Sequence, residues 1–318
     1  MLLIWTCEGD ATADWFISTY LNNSSLKWCR FNSETFPERT RIILKSDSSE
    51  LLIGSGTRIT AKEIRSVWYR RPGESSFLNH SVSETSLTLI RAESARALEY
   101  MRTGMCNALW VNDPEANRNA SHKLNQLHDA ERHGLRTPDT LITNEPEEVK
   151  AFAIAHGGHV IAKPLQRGTV IEDGTYKAFY TTLLGVTDIE RLAESIAVCP
   201  LMFQEQIEKA YELRITVIGN QCFAVKLESQ TQERTLIDWR KDPTQCRHSI
   251  YELPESLAQI LTRMTKESGL YFTAFDLIAA PSGEYIFLEH NPNGQFAWLE
   301  EITGVKIGRA LLDLFQHA

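Results

Sequence analysis

A chain of 318 residues, 42% apolar and 23% charged, is long enough for two or three domains and too ordinary in composition to be disordered, collagen-like or coiled-coil. Thirty-three Lys and Arg against 41 Asp and Glu leave a formal charge of −8. That argues against a general binder of nucleic acid or anionic membrane, though a local basic patch stays open. No apolar run approaches the roughly 20 residues of a membrane span, and Met1-Leu2-Leu3-Ile4-Trp5 lacks the charged start of a signal peptide, so a cytoplasmic location is expected. Six scattered cysteines with no CxxC and no zinc spacing are expected as reduced thiols, mostly packing residues.

In chain order, residues 2–5 read as a strand and 11–21 as an amphipathic helix, an α/β opening. β-rich stretches follow at 41–44, 51–53 and 67–69, then a helical pattern over 84–101 with Leu87, Ile90, Ala97, Leu98 and Met101 on one face. No glycine-rich phosphate loop occurs in this third of the chain. A second unit begins near Trp110. Ser121 is expected to cap a helix ending at Gly134, whose place suits a left-handed C-cap. Residues 140–142 read as a strand, Asn144 as the cap of a helix over 145–156, and 159–163 as a strand after the Gly157-Gly158 break. A helix over 188–196 and a strand over 201–205 complete the unit. From about Tyr211 onward come two hairpin-like strand pairs, a helix over 255–268 and a closing helix from Ile307.

The last hairpin carries chemistry. Pro281-Ser282-Gly283 separates two apolar strands. With Ser282-Gly283 as a two-residue loop, Pro281 faces Glu284, Ile278 faces Phe287 and Asp276 faces Glu289. Asn291, two residues from Glu289, shares its face, so three oxygen-bearing side chains converge. Opposed carboxylates cost roughly 0.2–1 kcal/mol unless a cation sits between them. Mg²⁺, held by these oxygens and completed by water and phosphate, is the natural candidate. The alternative is that one carboxylate faces solvent, but both interrupt strongly apolar strands.

Mg²⁺ bound by few carboxylates implies phosphate, and phosphate requires cations. Lys163 ends a strand from which its ammonium can reach a nucleotide phosphate, and Lys123 opens a helix, where it could also be a solvated charge. The polar stretch Gln204-Glu205-Gln206-Ile207 joins two sheet-bearing units and can offer backbone groups to a purine edge. Glu212 and Arg214 share a strand face, suited to a ribose hydroxyl and a transferring phosphoryl group, or else to a simple salt bridge.

Together with Glu289-His290-Asn291-Pro292-Asn293-Gly294, this ordered set resembles the ATP-grasp superfamily over essentially the whole chain. The segments Val67-Trp68-Tyr69-Arg70-Arg71-Pro72, Trp110-Val111-Asn112-Asp113-Pro114, His122-Lys123-Leu124, Ile237-Asp238-Trp239-Arg240 and Gly294-Gln295-Phe296-Ala297-Trp298 narrow it to the microviridin-type peptide maturases, the graspetide synthetases. The resemblance implies an α/β (α+β) chain: an N-terminal pre-ATP-grasp domain over 1–110, a central ATP-grasp subdomain over 111–203 and a C-terminal one over 204–318.

It further implies a ligase that activates Asp or Glu side chains of a ribosomally made precursor peptide, leader plus acidic core, as acyl phosphates. Ser, Thr or Lys side chains of that peptide then close ω-ester or ω-amide rings. On this resemblance Lys123 and Lys163 hold the phosphates of ATP, Glu205, Gln206 and Ile207 bind adenine, and Glu212 meets ribose. Arg214 and Arg240 stabilise the transferring phosphoryl and the acyl phosphate, Asp276, Glu289 and Asn291 bind Mg²⁺, and a homodimer is implied.

Arg70 and Arg71 could collect a substrate carboxylate or pair with Glu63 or Glu74, and Trp239 could hold Arg240 in place by packing. Asn293 and Gln295 stand where the ester-forming enzymes carry a small apolar residue and a Glu, so the ring pattern and the ester-or-amide choice stay open. Residues 167–176, short and mixed in charge, are expected to form a lid over phosphate. Two other readings remain: a ligase of the same fold that joins free amino acids or extends a protein end, and a nucleotide-binding regulator without chemistry. Because net charge would repel an acidic peptide, recognition must rest on local cations.

Overall fold

Alternation along the first strand decides the architecture of the N-terminal third. In Leu2–Thr6, Leu2 and Ile4 face one side, Leu3 and Trp5 the other, and all four are buried. A strand buried on both faces belongs inside a parallel sheet. The order here is Trp28–Asn32, Leu2–Thr6, Ser66–Tyr69, Leu109–Val111, all parallel. Leu3 and Trp5 pack with Phe31, Leu51, Ile59 and Met101, beneath an antiparallel meander (Thr40–Leu44, Ser49–Ile53, Thr57–Thr60) and the helix Glu84–Thr103.

Leu2 and Ile4 pack instead with Phe16, Trp68, Phe296, Ile307, Leu311 and Phe315. The last two helices, Ala297–Thr303 and Ile307–Gln316, therefore complete the core of the first sheet. A polar seam fastens them: the Tyr20 hydroxyl donates to Glu300, whose other oxygen accepts the Gly308 N–H at 2.7 Å.

The computed structural model describes residues 1–54, 56–75, 82–166, 169–172 and 175–318, with only the backbone of 169–172, 175–178 and Pro243. The middle of the chain forms an antiparallel sheet ordered Thr182–Gly185, His159–Lys163, Leu201–Gln204, Thr140–Thr143. Its core, around Val149, Val160, Ile189 and Phe203, lies under the helices Pro146–Ala155, Val186–Arg191 and Ala193–Val198. The third sheet is antiparallel, ordered His248–Tyr251, Gln221–Leu227, Tyr211–Ile218, Phe272–Ala279, Tyr285–Asn291. Leu213, Ile215 and Val217 pack against Leu257, Leu261 and Met264 of the helix Glu255–Glu267.

The helix Lys123–Arg132 belongs spatially to this third sheet. Leu127 and Ala130 enter its core, and the Gln126 carboxamide pairs with the backbone of His290, donating to its carbonyl at 2.9 Å and accepting its N–H at 3.1 Å. Among the described residues no helix is long and apolar enough to cross a membrane. All six cysteines are free, with Cys246 buried, Cys7, Cys29 and Cys222 half-buried, and Cys106 and Cys199 exposed.

Several boundaries move from the expected places for local reasons. Asp113 caps an unforeseen helix, Pro114–Ala120, accepting the N–H groups of Glu115 and Ala116 at 2.8 and 3.1 Å. Ser121 ends that helix, its hydroxyl donating to the Asn117 carbonyl at 2.7 Å, so His122 occupies the next N-cap. Asn144 does not cap the next helix; Glu145 stands there, and Asn144 Nδ2 donates to the Ala197 carbonyl at 2.9 Å. The 188–196 helix divides at Leu192, and the 11–21 helix is α-helical to Phe16 and then widens into a π-turn, Ile17–Leu21. Gly134 does take the left-handed conformation, at φ +82°.

Candidate active site

A cleft of about 1800 Å³ lies between the central and C-terminal sheets and reaches the carboxyl end of the N-terminal sheet. All the site residues singled out in the sequence line it: Lys123, Lys163, the 205–207 connection, Glu212, Arg214, Arg240, Asp276, Glu289, Asn291, Arg70 and Arg71. They arrive from the three sheets and their ends, the helix Lys123–Arg132, the 205–207 connection and the short turn Trp239–Lys241.

The acidic hairpin is built differently from the expected register. Ala280, not Pro281, pairs with Glu284 across a three-residue loop, in which Gly283 has φ +87°. That slip places Ile278 opposite Ile286 and Leu277 opposite Phe287. A bulge at Leu288 then absorbs one residue and restores Asp276 opposite Glu289. Asn291 Nδ2 lies 3.4 Å from both Asp276 Oδ2 and Glu289 Oε1, so the three side chains do converge.

Cations balance this cluster. Arg214, paired with Asp276 in strand register, donates Nη1 to Asp276 Oδ2 at 2.6 Å, and Lys123 Nζ lies 3.4 Å from Glu289 Oε2. Burial raises the Asp276 pKa even against Arg214. Burial also opposes ionisation of Glu289, but Lys123, Lys163 and Arg240 outweigh it and lower its pKa. Two carboxylates and an amide oxygen form a hard-oxygen donor set that fits Mg²⁺ only if phosphate and water complete it. Among the described residues no cluster of three or more His, Cys, Asp or Glu forms a metal site.

Lys163 donates to Gln204 Oε1 at 2.8 Å, while Gln204 Nε2 donates to Thr140 Oγ1 at 2.9 Å. Burial is the main cause that brings the Lys163 pKa down to about 8. Lys123 Nζ also donates to the Pro164 carbonyl at 3.0 Å, tying the helix to the end of the Lys163 strand. Glu205 Oε1 accepts from Asp139 N at 3.1 Å and from Arg136 at 3.3 Å, which orients the connection at its start.

Three contributors escaped the sequence reading. Lys209 donates to Glu212 Oε1 and to the Ile237 carbonyl, both at 3.0 Å, tying the Glu212 carboxylate to the 237–240 segment. Asp238 grips Arg240 with both oxygens, at 2.8 and 2.7 Å, and accepts the Thr181 N–H at 3.1 Å. Burial would raise the Asp238 pKa, yet Arg240 holds it at about 2. The place of Asp238 two residues before Arg240 is the sequence signal for this clamp. Trp239, on the same segment, stacks near Trp298 at 5.2 Å between centroids.

The third is Asn112, whose amide nitrogen contacts the Asn117 side chain and the carbonyls of Phe272 and Pro292 at 2.8–3.0 Å. Its oxygen accepts the N–H groups of Tyr271 and Phe272 at 2.8 and 2.9 Å. It thus joins the N-terminal sheet to both ends of the acidic hairpin.

Arg70 pairs with neither Glu63 nor Glu74 but with Asp10, Nε to Oδ2 at 2.8 Å. Glu63 is instead held in a capping turn by Thr60. Gln295 is exposed at the cleft, and Asn293 Oδ1 is 3.4 Å from Asn117 Nδ2. Of the expected lid, the backbone strands Thr169–Glu172 and Thr175–Ala178 form an antiparallel pair; the remainder of 167–176 lies outside the described residues.

Residues 1–118 match the family described as the MvdD pre-ATP-grasp domain. Across 99% of this chain and 96% of the other, the structure is similar to a RiPP-associated ATP-grasp ligase from Chryseobacterium gregarium, solved with ADP and a leader and core peptide, at TM-score 0.87 and 27% identity. It is also similar to the macrocyclase MdnC from Microcystis aeruginosa MRC, solved with the precursor peptide MdnA, at TM-score 0.86 and 27% identity over 100% and 99% of the chains. The macrocyclase MdnB of that organism matches at TM-score 0.80 and 29% identity over 99% and 98%. No curated protein matches the sequence. The architecture is thus a pre-ATP-grasp domain followed by an ATP-grasp fold, in an α+β chain.

Proposed function

We propose, from the premise that this chain is an ATP-grasp ligase of the graspetide-maturase type, that it closes rings in a ribosomally made peptide at the expense of ATP. An Asp or Glu side chain of the peptide attacks the γ-phosphorus, forming an acyl phosphate and releasing ADP. A Ser or Thr hydroxyl, or a Lys amine, then attacks the acyl carbon, phosphate leaves, and the nucleophile's proton is lost. The peptide ends lighter by one water per ring.

The observation that carries this reading is one cross-strand row: Arg214 faces Asp276, and Asp276 faces Glu289, at the wall of a cleft that also holds Lys163 and Arg240. Carboxylate phosphorylation needs positioning and charge neutralisation rather than a strong base, and this wall supplies both. Lys123 and Lys163 hold phosphates, the 205–207 backbone meets adenine, and Glu212, steadied by Lys209, meets ribose. Asp276, Glu289 and Asn291 would hold Mg²⁺, which neutralises phosphate charge when bound. Arg214 and Arg240 face the transferring group. Asp238 grips one edge of the Arg240 guanidinium, so its position is fixed before charge develops. The complexes of the similar proteins with ADP, leader and core peptide, and with a precursor peptide, support nucleotide and precursor peptide as ligands here.

Incubating the protein with ATP, Mg²⁺ and the short acidic peptide encoded beside its gene tests this. ADP release that depends on both peptide and Mg²⁺, with loss of one water mass per ring, is expected. An unchanged peptide mass sinks the reading, and a gain in mass with free amino acids supports the ligase that extends chain ends.

A further inference from the structure

Arg70 follows the strand Ser66–Tyr69 directly and continues its register, its N–H donating to the Trp5 carbonyl at 3.0 Å. Its side chain is 1% exposed yet borders the cleft. One edge of the guanidinium is clamped: Nε donates to Asp10 Oδ2, and Asp10 is held by the Thr6 hydroxyl at 2.7 Å and the Ala13 N–H at 3.3 Å. The ring of Trp68 lies 5.0 Å below. Nη1 and Nη2, on the outer edge, are buried with no hydrogen-bond partner among the described residues.

Leaving charged donors buried and unmade is costly, and a purely structural ion pair would satisfy more of the fork. Asp10 neutralises one charge, and Arg71 adds another at the same edge of the cleft. Two parallel N–H vectors, rigidly held, match the two oxygens of a carboxylate. The crevice at the carboxyl end of parallel strands is also where such sheets receive ligands.

We propose that the outer edge of Arg70 binds a carboxylate of the peptide other than the one being phosphorylated, and so selects which acidic side chain reaches Arg214 and Arg240. This rests on the ring-closing function. Clamped by Asp10, the guanidinium cannot swing to the phosphoryl end of the cleft, so it acts as a second, fixed point of attachment. That carboxylate is either a core Asp or Glu side chain or the peptide C-terminus.

The test compares wild type with Asp10→Asn/Arg70→Met, which removes both charges at nearly constant volume, and with Arg70→Lys, which keeps charge and loses the fork. Peptide KM, ATP KM, thermal midpoint and ring pattern are read for each. Both variants should raise peptide KM by roughly 10- to 100-fold, the size of a lost charge-assisted pair, and scramble the order of ring closure. ATP KM should stay constant. Peptides carrying single Asp→Asn or Glu→Gln changes, and one with an amidated C-terminus, identify the source. Wild type should lose affinity for the one peptide that lacks the bound carboxylate, and the double variant should be indifferent to that change. If Asp10→Asn/Arg70→Met folds poorly, Arg70→Lys decides alone. Wild type that leaves every peptide unchanged overturns the ligase reading. Wild type that closes rings while the variants match its KM and pattern, or variants whose defects add to every peptide change without coupling, overturns the role of Arg70 only.

Discussion

Arg214 Nη1 lies 2.6 Å from Asp276 Oδ2, and the approach is possible because Gly294 has no side chain. A Cβ there would stand 2.9 Å from Arg214 Nη2 and 2.4 Å from the Ala274 Cβ. Gly294→Ala must therefore shift the segment away from the Ala274 strand and, with it, disturb the guanidinium in its row. Displacing one preorganised charge stabiliser lowers kcat about 10²- to 10³-fold. Steady-state ADP release should show this with peptide KM nearly constant, and circular dichroism should show a folded protein. Undiminished turnover in Gly294→Ala would mean that Arg214 works from some other position.

The paired arginine also governs what metal removal does. Without Mg²⁺, Asp276 keeps Arg214 as partner and Glu289 keeps Lys123, so chelation should stop ADP release without unfolding the protein. Asp276→Asn should both weaken Mg²⁺ activation and cost roughly 1–3 kcal/mol of stability, because it leaves the 11%-exposed Arg214 without its opposite charge. Metal titration of ADP release and urea unfolding read the two effects separately. Equal Mg²⁺ requirements in variant and wild type would remove Asp276 from the metal site.

How much of this was legible varies with the range of the interaction. Site residue types and their order carry the family resemblance, with local spacing adding the acidic hairpin, and Lys163, Arg214, Asp276 and Asn291 all line one cleft. A two-residue loop predicts the opposition of Asp276 and Glu289, whereas the chain forms a three-residue loop. Two displacements of one residue cancel, one at the loop and one at the Leu288 bulge, beside which Phe287 N, on the outer edge of the strand, donates to the Arg136 carbonyl at 2.9 Å. No spacing within the hairpin encodes that contact. Arg70's partner is unreadable for the same reason, since Asp10 is 60 positions away, at the N-cap of the helix Ala11–Phe16. The docking of the last helix on the first sheet likewise needs the tertiary core, in which Ile307, Leu311 and Phe315 meet Leu2 and Ile4.

That docking makes the seam at Gly308 a stability determinant. A Cβ on Gly308 would meet Tyr20 Cε2 at 2.4 Å, inside the joint that Tyr20 and Glu300 form between the first and last elements. Overpacking of this kind costs about 1–3 kcal/mol, so Gly308→Ala should unfold at lower urea than wild type. Tyr20→Leu in the same chain should recover part of the loss by removing the ring edge. A double variant less stable than Gly308→Ala would show that the Tyr20 hydroxyl bond to Glu300 outweighs the clash.

Lys163 sets a proton linkage on nucleotide binding. Burial brings its pKa down to about 8 in the free protein, against an ordinary 10.5. Polyphosphate beside it favours the ammonium and raises that pKa, so binding takes up protons between the two values and none well below the lower one. Near pH 8 the site is about half protonated, and uptake should approach roughly half a proton per nucleotide bound; at pH 6 it should vanish. Calorimetry of ATP binding in buffers of different ionisation enthalpy measures this directly. Lys163→Arg carries a charge that does not titrate in this range, so it should still bind nucleotide while losing the pH-8 uptake. Uptake of the same size in Lys163→Arg would assign the proton to another group in the cleft.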